Sequence, residues 1–180
     1  MDFYTFRTHV RTPVESVIQV LYDECFSDAS VMRYSGISDK LYSLSDVRHL
    51  YKECNTESSN VLFHVIDSKS SGGPYGFVYI TESPFDIKLY KVEIVLSACR
   101  QCSGYGTEVL SQLIEQLYRN YDARFIVFSP CICDKAGIAI ARKCYMSRTL
   151  ITRKPVLDKL TGETHERISF TVLPLLPNRM

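Results

Sequence analysis

Apolar residues return at helical spacing most clearly after residue 108. Val109, Leu110, Leu113, Ile114, Leu117, Tyr118 and Tyr121 form one stripe, and Glu108, Gln112, Glu115 and Arg119 fall opposite. Val14, Val17, Ile18, Leu21, Tyr22 and Cys25 share a face after Thr12-Pro13-Val14-Glu15, a start with a cap at Thr12 and a capping box completed by Glu15. A second early helix spans Ser43 to Cys54, with Leu44, Val47, Leu50, Tyr51 and Cys54 inward. Residues 27–43 have no clear period and read as a loop. Asp134 to Tyr145 is an alanine-rich helix.

Strands fall between these helices. Phe3 to Val10 reads as the first, and Asn60 to Asp67 pairs with Tyr75 to Glu82 across the Ser68–Pro74 turn. The break at Ser83-Pro84-Phe85-Asp86 precedes a strand from Lys88 to Ala98. Arg124 to Ser129 is a continuous apolar run, the pattern of a strand covered on both faces. Ser147 to Asp158 and His165 to Leu173 form a hairpin that turns near Thr161-Gly162-Glu163. The order is β-α-α-β-β-β-α-β-α-β-β, and residues 1–180 read as one domain.

Composition narrows the function. The chain has 180 residues, 46% of them hydrophobic, enough for a real core. Net charge is +1, from 21 basic and 20 acidic residues, which argues against a nucleic-acid surface. No apolar run reaches membrane-span length, and Met1-Asp2-Phe3 does not open a signal peptide. With seven cysteines and no export signal, reduced thiols in a cytoplasmic compartment are expected.

Between the apolar Ile94-Val95-Leu96 and the long helix lies Gln101-x-x-Gly104-x-Gly106. Glycines let backbone approach a ligand, and a helix start offers unpaired N–H groups and a positive dipole end. This is an anion site, suited to phosphate or pyrophosphate. A P-loop would need a lysine after Gly106, and a dinucleotide fingerprint a third glycine.

Gln101-Cys102-Ser103-Gly104-Tyr105-Gly106 resembles the pyrophosphate signature of the GNAT superfamily of N-acetyltransferases. Val92 to Ala98 resembles that family's fourth strand, in particular the Glu-Ile-Val run of its histone-acetyltransferase branch. Asp134 to Met146 resembles its second conserved helix, so the likeness covers Lys88 to Met146.

The resemblance implies an α/β (α+β) domain. A mixed sheet of about seven strands would be flanked by about four helices and splayed between strands four and five. It implies acetyl-CoA as co-substrate, with pantetheine in the splay. Val95, Leu96, Ser97, Gln101, Cys102, Ser103, Gly104, Tyr105, Gly106, Thr107 and Asp134 form the expected cofactor-binding set. The acceptor would be a primary amine, on a small molecule or a protein, acetylated directly in a ternary complex. Its pocket would be lined by residues 27–43, which offer Arg33, Tyr34, Asp39 and Tyr42, and by the 147–165 hairpin. A homodimer stays open.

Glu93 is the expected general base, since burial in an apolar strand would raise its pKa and the resemblance puts the histone-acetyltransferase base there; the alternative is a strand glutamate pointing to solvent or pairing with a lysine such as Lys91. The family's helix tyrosine, the general acid, aligns with Ala141. Tyr145, one turn later, is the candidate substitute, with core packing as its alternative. The family's Gly-Phe pair is here Tyr145-Met146. These departures keep a second hypothesis in play, a non-catalytic acyl-CoA-binding module on the same fold.

Cys99-x-x-Cys102 and Cys131-x-Cys133 flank the loop. Zinc is disfavoured by the Cys-x-Cys spacing and by competition with phosphate; a redox pair at Cys99 and Cys102 is the stronger variant. Cys144 reads as core. The histidines at 9, 49, 64 and 165 form no metal motif, and His64 reads as a satisfied structural residue. Ser97 and Ser103 lack a triad context.

Overall fold

The computed structural model describes residues 1–172 except 55, 57, 71 and 86, with backbone alone for 150–154. Leu173 and Asp86, the ends of two expected segments, and Ser71 of the first turn lie outside the described residues.

Eight strands form one sheet: β1 (Phe3–Tyr4), β2 (Thr8–Arg11), β3 (Val61–Ser68), β4 (Pro74–Glu82), β5 (Leu89–Leu96), β6 (Phe125–Phe128), β7 (Ser147–Leu157) and β8 (Thr164–Val172). Their spatial order is β1-β2-β3-β4-β5-β6-β8-β7, and among the described residues only the β5–β6 pair is parallel. The expected first strand is split in two. Thr5 Oγ1 accepts from the Thr8 N–H at 2.9 Å and the Thr5 N–H donates to the Thr8 carbonyl, so the chain turns back at Phe6.

The first helix also departs from expectation. Val14 stays extended at φ −112° and ψ 154° with no side-chain cap, so the Thr12 capping box does not form. A 3-10 turn (Glu15–Val17), a single α turn, α1 (Ile18–Leu21), and a π turn (Tyr22–Phe26) follow. The wider π turn buries both Cys25 and Phe26. Helix α2 (Leu44–Cys54) starts with reciprocal bonds between Ser43 and Asp46. Helices α3 (Tyr105–Asn120) and α4 (Lys135–Lys143) follow the apolar periods read from the sequence.

Alternation along β4 divides the core. Val78 and Ile80 pack with Val109, Leu110, Leu113 and Leu117 of α3 and Ala141 of α4. Phe77 and Tyr79 pack with Ile18, Leu21 and Phe26 and with Val47 of α2. Phe26 stacks on Phe77 at 4.5 Å between centroids. Helices on both sides of a mixed sheet make the α/β domain that the resemblance implies, with eight strands described where about seven were expected. Strand β6 is less covered than its apolar run suggested. Ile126 and Phe128 are buried, but Phe125 is 37% exposed.

What positions the site is the loss of one partner at the end of β6. Strand β5 is paired with β4 through Leu96, but with β6 only from Leu89↔Phe125 to Val92↔Phe128. Beyond Phe128 the chain leaves β5 and stays with β8, which it already pairs from Ile126 to Phe128. Ile168 N–H donates to the Pro130 carbonyl at 3.0 Å, Cys131 bridges Arg167, and Ile132 N–H donates to the Glu166 carbonyl at 2.9 Å. One edge of β5, Glu93 to Leu96, therefore lines an opening.

Candidate functional site

A cleft of about 500 Å³ occupies that opening. Its walls are Val92 to Leu96 of β5, Phe128-Ser129-Pro130 at the end of β6, the loop and first turn of α3, one side of α4, and Ser30, Val31, Arg33, Tyr34 and Ser35.

The loop is shaped by backbone. Gly104, just before α3, has φ +85°, and Cys102 is also left-handed at φ +56°. No side chain caps α3, so its first N–H groups and positive dipole end are left for a ligand. Gln101 contributes its side chain, since Nε2 donates to the Leu96 carbonyl at 2.9 Å and ties the loop to β5. At Gly106 a Cβ would lie 2.7 Å from Ile140 Cδ1. That glycine serves the approach of α4 to α3.

Of the expected cofactor-binding set, Val95, Leu96, Gln101, Cys102, Gly104, Gly106, Thr107 and Asp134 line this cleft together with Glu93. Ser97, Ser103 and Tyr105 are placed elsewhere. Ser97 is buried, and its N–H donates to the Tyr75 carbonyl at 2.7 Å, so it has no N–H to offer a ligand. Tyr105 packs edge-on against Tyr75 beneath the Arg7 guanidinium, 4.0 Å from its ring centre. Ser103 gives its carbonyl to Arg7 Nη1. Asp134 caps α4: Oδ1 accepts from the Gly137 N–H at 2.9 Å, and burial pushes its carboxyl up.

Glu93 is half-buried and fully engaged. Oε1 accepts from Arg167 Nη1 at 3.3 Å, and Oε2 from Ser35 Oγ and the Gly36 N–H, each at 3.1 Å. Its partner is an arginine from β8, not Lys91. Tyr145 does not face the cleft. Helix α4 ends at Lys143, and Tyr145 follows with φ +55° and 94% exposure, so both the shared helix face and the core packing expected of it are absent. Ala141 is buried in the core.

The wall formed by residues 30–35 is pinned by an ion pair and a lysine hydrogen bond. Arg33 holds Asp158, whose carboxylate is driven well below its ordinary range chiefly by that pairing. Lys159 Nζ donates to the Ser35 carbonyl at 2.7 Å, and burial lowers its pKa. Of the four side chains expected from residues 27–43, Arg33 and Tyr34 line the cleft; Asp39 and Tyr42 do not, and neither does any residue of the 147–165 hairpin among those described.

Arg167, Ser129 and Lys143 also line the cleft and went unread in the sequence. In the sequence Arg167, Ser169 and Thr171 alternate with the apolar Ile168, Phe170 and Val172, which sets Arg167 on a polar side but does not say which cavity that side meets. Cys99, Cys102 and Cys133 are exposed free thiols, Cys131 is buried, and Cys144 is half-buried with Sγ toward the Thr107 carbonyl. Among the described residues, no group of three or more His, Cys, Asp or Glu could hold a metal ion.

A family model described as the acetyltransferase (GNAT) domain matches residues 7–147. No curated protein matches by sequence. Among solved structures, a GNAT-family acetyltransferase from Bacillus anthracis is 14% identical, with a TM-score of 0.80 over 96% of this chain and 98% of its own. Spermidine N-acetyltransferase from Vibrio cholerae, in complex with CoA and spermine, is 10% identical, with a TM-score of 0.80 over 92% and 95%. RimL, a ribosomal L7/L12 alpha-N-protein acetyltransferase in complex with coenzyme A, is 14% identical, with a TM-score of 0.81 over 96% and 98%. At these identities the likeness is one of fold.

Proposed function

Because the chain belongs to the GNAT acetyltransferase family, we propose that it transfers an acetyl group from acetyl-CoA to a primary amine, directly and in a ternary complex. The observation that carries this reading is the one-sided pairing of β5. Its free edge runs along a cleft that ends at the uncapped start of α3.

The N–H groups of the Gln101–Thr107 loop are the proposed pyrophosphate anchor, favoured by the helix dipole. The open edge at Val95 and Leu96 is the proposed seat of pantetheine, taken up as an extra strand. Acetyl-CoA supplies a thioester, whose carbonyl carbon the amine attacks and whose sulfur departs. Glu93 is the proposed proton acceptor, reached directly or through one water, with Arg167, Ser35 and Gly36 fixing its carboxylate. The acceptor enters along Arg33 and Tyr34. The solved relatives that bind spermine or act on ribosomal protein take amines, and an amine is the class proposed here. A reducing, cytoplasmic setting suits the three exposed free thiols.

The exposed position of Tyr145 favours one rival, an acyl-CoA-binding module without catalysis. Calorimetric titration with acetyl-CoA and free CoA tests the cleft assignment, and absence of binding to folded protein removes it. Release of free thiol with a panel of amines then separates an enzyme from a binder.

A further inference from the structure

Strands β5 and β6 part after the Val92↔Phe128 pair, and the next residues are Glu93 on one side and Ser129 on the other. One guanidinium spans both. Arg167 Nη1 donates to Glu93 Oε1 at 3.3 Å and to the Ser129 carbonyl at 3.0 Å, while Nη2 donates to the Tyr34 carbonyl at 3.3 Å. Arg167 is fixed from behind, since its backbone bridges Cys131 and pairs with Thr152 of β7. The loop presses on it from the front. A Cβ at Gly36 would lie 2.0 Å from Arg167 Nη2 and 2.8 Å from Glu93 Oε1. The narrow end of the fork is thus closed by a planar clasp that binds three elements at once.

We infer that Arg167 is a specificity-determining residue: it closes the inner end of the acyl slot and restricts it to short acyl groups. The inference rests on the acyl-donor reading above. With the pyrophosphate at the loop and pantetheine along Leu96 and Val95, the acyl group arrives at Glu93 and meets the clasp. Each further methylene then pushes the guanidinium off its acceptors. Displacing it strips a carboxylate and two carbonyls of a donor in a half-buried site, which is costly.

The test is calorimetric titration of wild type, Arg167→Ala and Arg167→Lys with free CoA, acetyl-CoA and hexanoyl-CoA. Wild type should prefer acetyl-CoA over hexanoyl-CoA by about tenfold or more. Arg167→Ala should narrow that preference to about twofold while its affinity for free CoA stays within about twofold of wild type. Arg167→Lys keeps the charge but cannot fork, and should fall between. Melting curves check folding, and if the alanine variant does not fold, the lysine variant alone must narrow the preference. Equal wild-type affinity for the two acyl-CoAs overturns the inference, as does a variant that weakens all three ligands in proportion. Wild type that fails to bind even free CoA overturns the acyl-donor reading itself, because free CoA brings no acyl group to the clasp.

Discussion

Arg33 Nε lies 3.0 Å from each carboxylate oxygen of Asp158, and Arg33 Nη2 lies 2.8 Å from Oδ2. The pair joins the 27–43 loop to the turn between β7 and β8. Asp158 also accepts from the Leu160 N–H at 2.9 Å, so one buried carboxylate organises both sides of the acceptor wall. Asp158→Asn removes the charge and keeps the shape. It should raise the KM for the amine and leave acetyl-CoA binding unchanged. The wild-type pair should also show acid sensitivity. A carboxylate depressed in the folded state adds stability above its ordinary pKa, and that stability is lost as pH falls through the folded value. Melting temperature against pH, steeper at acid pH in wild type than in Asp158→Asn, checks this.

The loop before α3 makes a second test. Any side chain at Gly104 must adopt φ +85°, at a cost of about 1–2 kcal/mol for a non-glycine residue. Gly104→Ala should let the loop relax out of that conformation, and restoring it on binding should weaken CoA by up to roughly tenfold, since about 1.4 kcal/mol is one decade. Gly104→Glu adds a negative charge against the pyrophosphate and should abolish binding. Unchanged affinity in the glutamate variant, measured by calorimetry, would remove the phosphate assignment.

For Glu93→Gln the expected outcome is a rate lower by about a hundredfold at neutral pH. The rate should recover as pH rises and the amine loses its proton without help. A pH–rate profile superimposable on wild type would exclude Glu93 as the proton acceptor.

His64 carries a prediction about stability. It is buried in β3, and neither ring nitrogen makes a well-formed hydrogen bond among the described residues, contrary to the satisfied histidine the sequence suggested. Burial first, and then the nearby N-terminal charge, lower its pKa from 6.5 to about 4. The unfolded chain therefore takes up a proton that the folded chain refuses. Stability falls as pH drops from 6.5 toward 4, by up to roughly 3 kcal/mol. His64→Leu should flatten that segment of the melting-temperature profile. A slope equal to wild type between those pH values would contradict the assignment.

The sequence was most legible where one rule acts alone. The Val109–Tyr121 stripe became α3, and the Ile94–Leu96 run with its glycine loop became one wall of the cleft. Where two rules compete, spacing misleads. Thr5 and Thr8 bond each other locally and cut a predicted strand in two, and Val14 stays extended where a Thr12 cap needed helix. Ser97 lies within the matching stretch, yet its N–H is taken by β4. Arg167 is farthest from what spacing can show. It meets Glu93, 74 positions earlier, across the opening left where β6 parts from β5 and stays with β8.

The chain beyond β6 is held to β8, away from β5, by main-chain groups: Pro130 and Glu166 lend carbonyls, and Ile132 and Ile168 lend N–H groups. Backbone carries no residue identity, so mutational drift can replace most side chains along these strands without closing the opening. The opening is thereby a property of the strand path, and the side chains that line it, such as Arg33 or Tyr34, can differ without closing it.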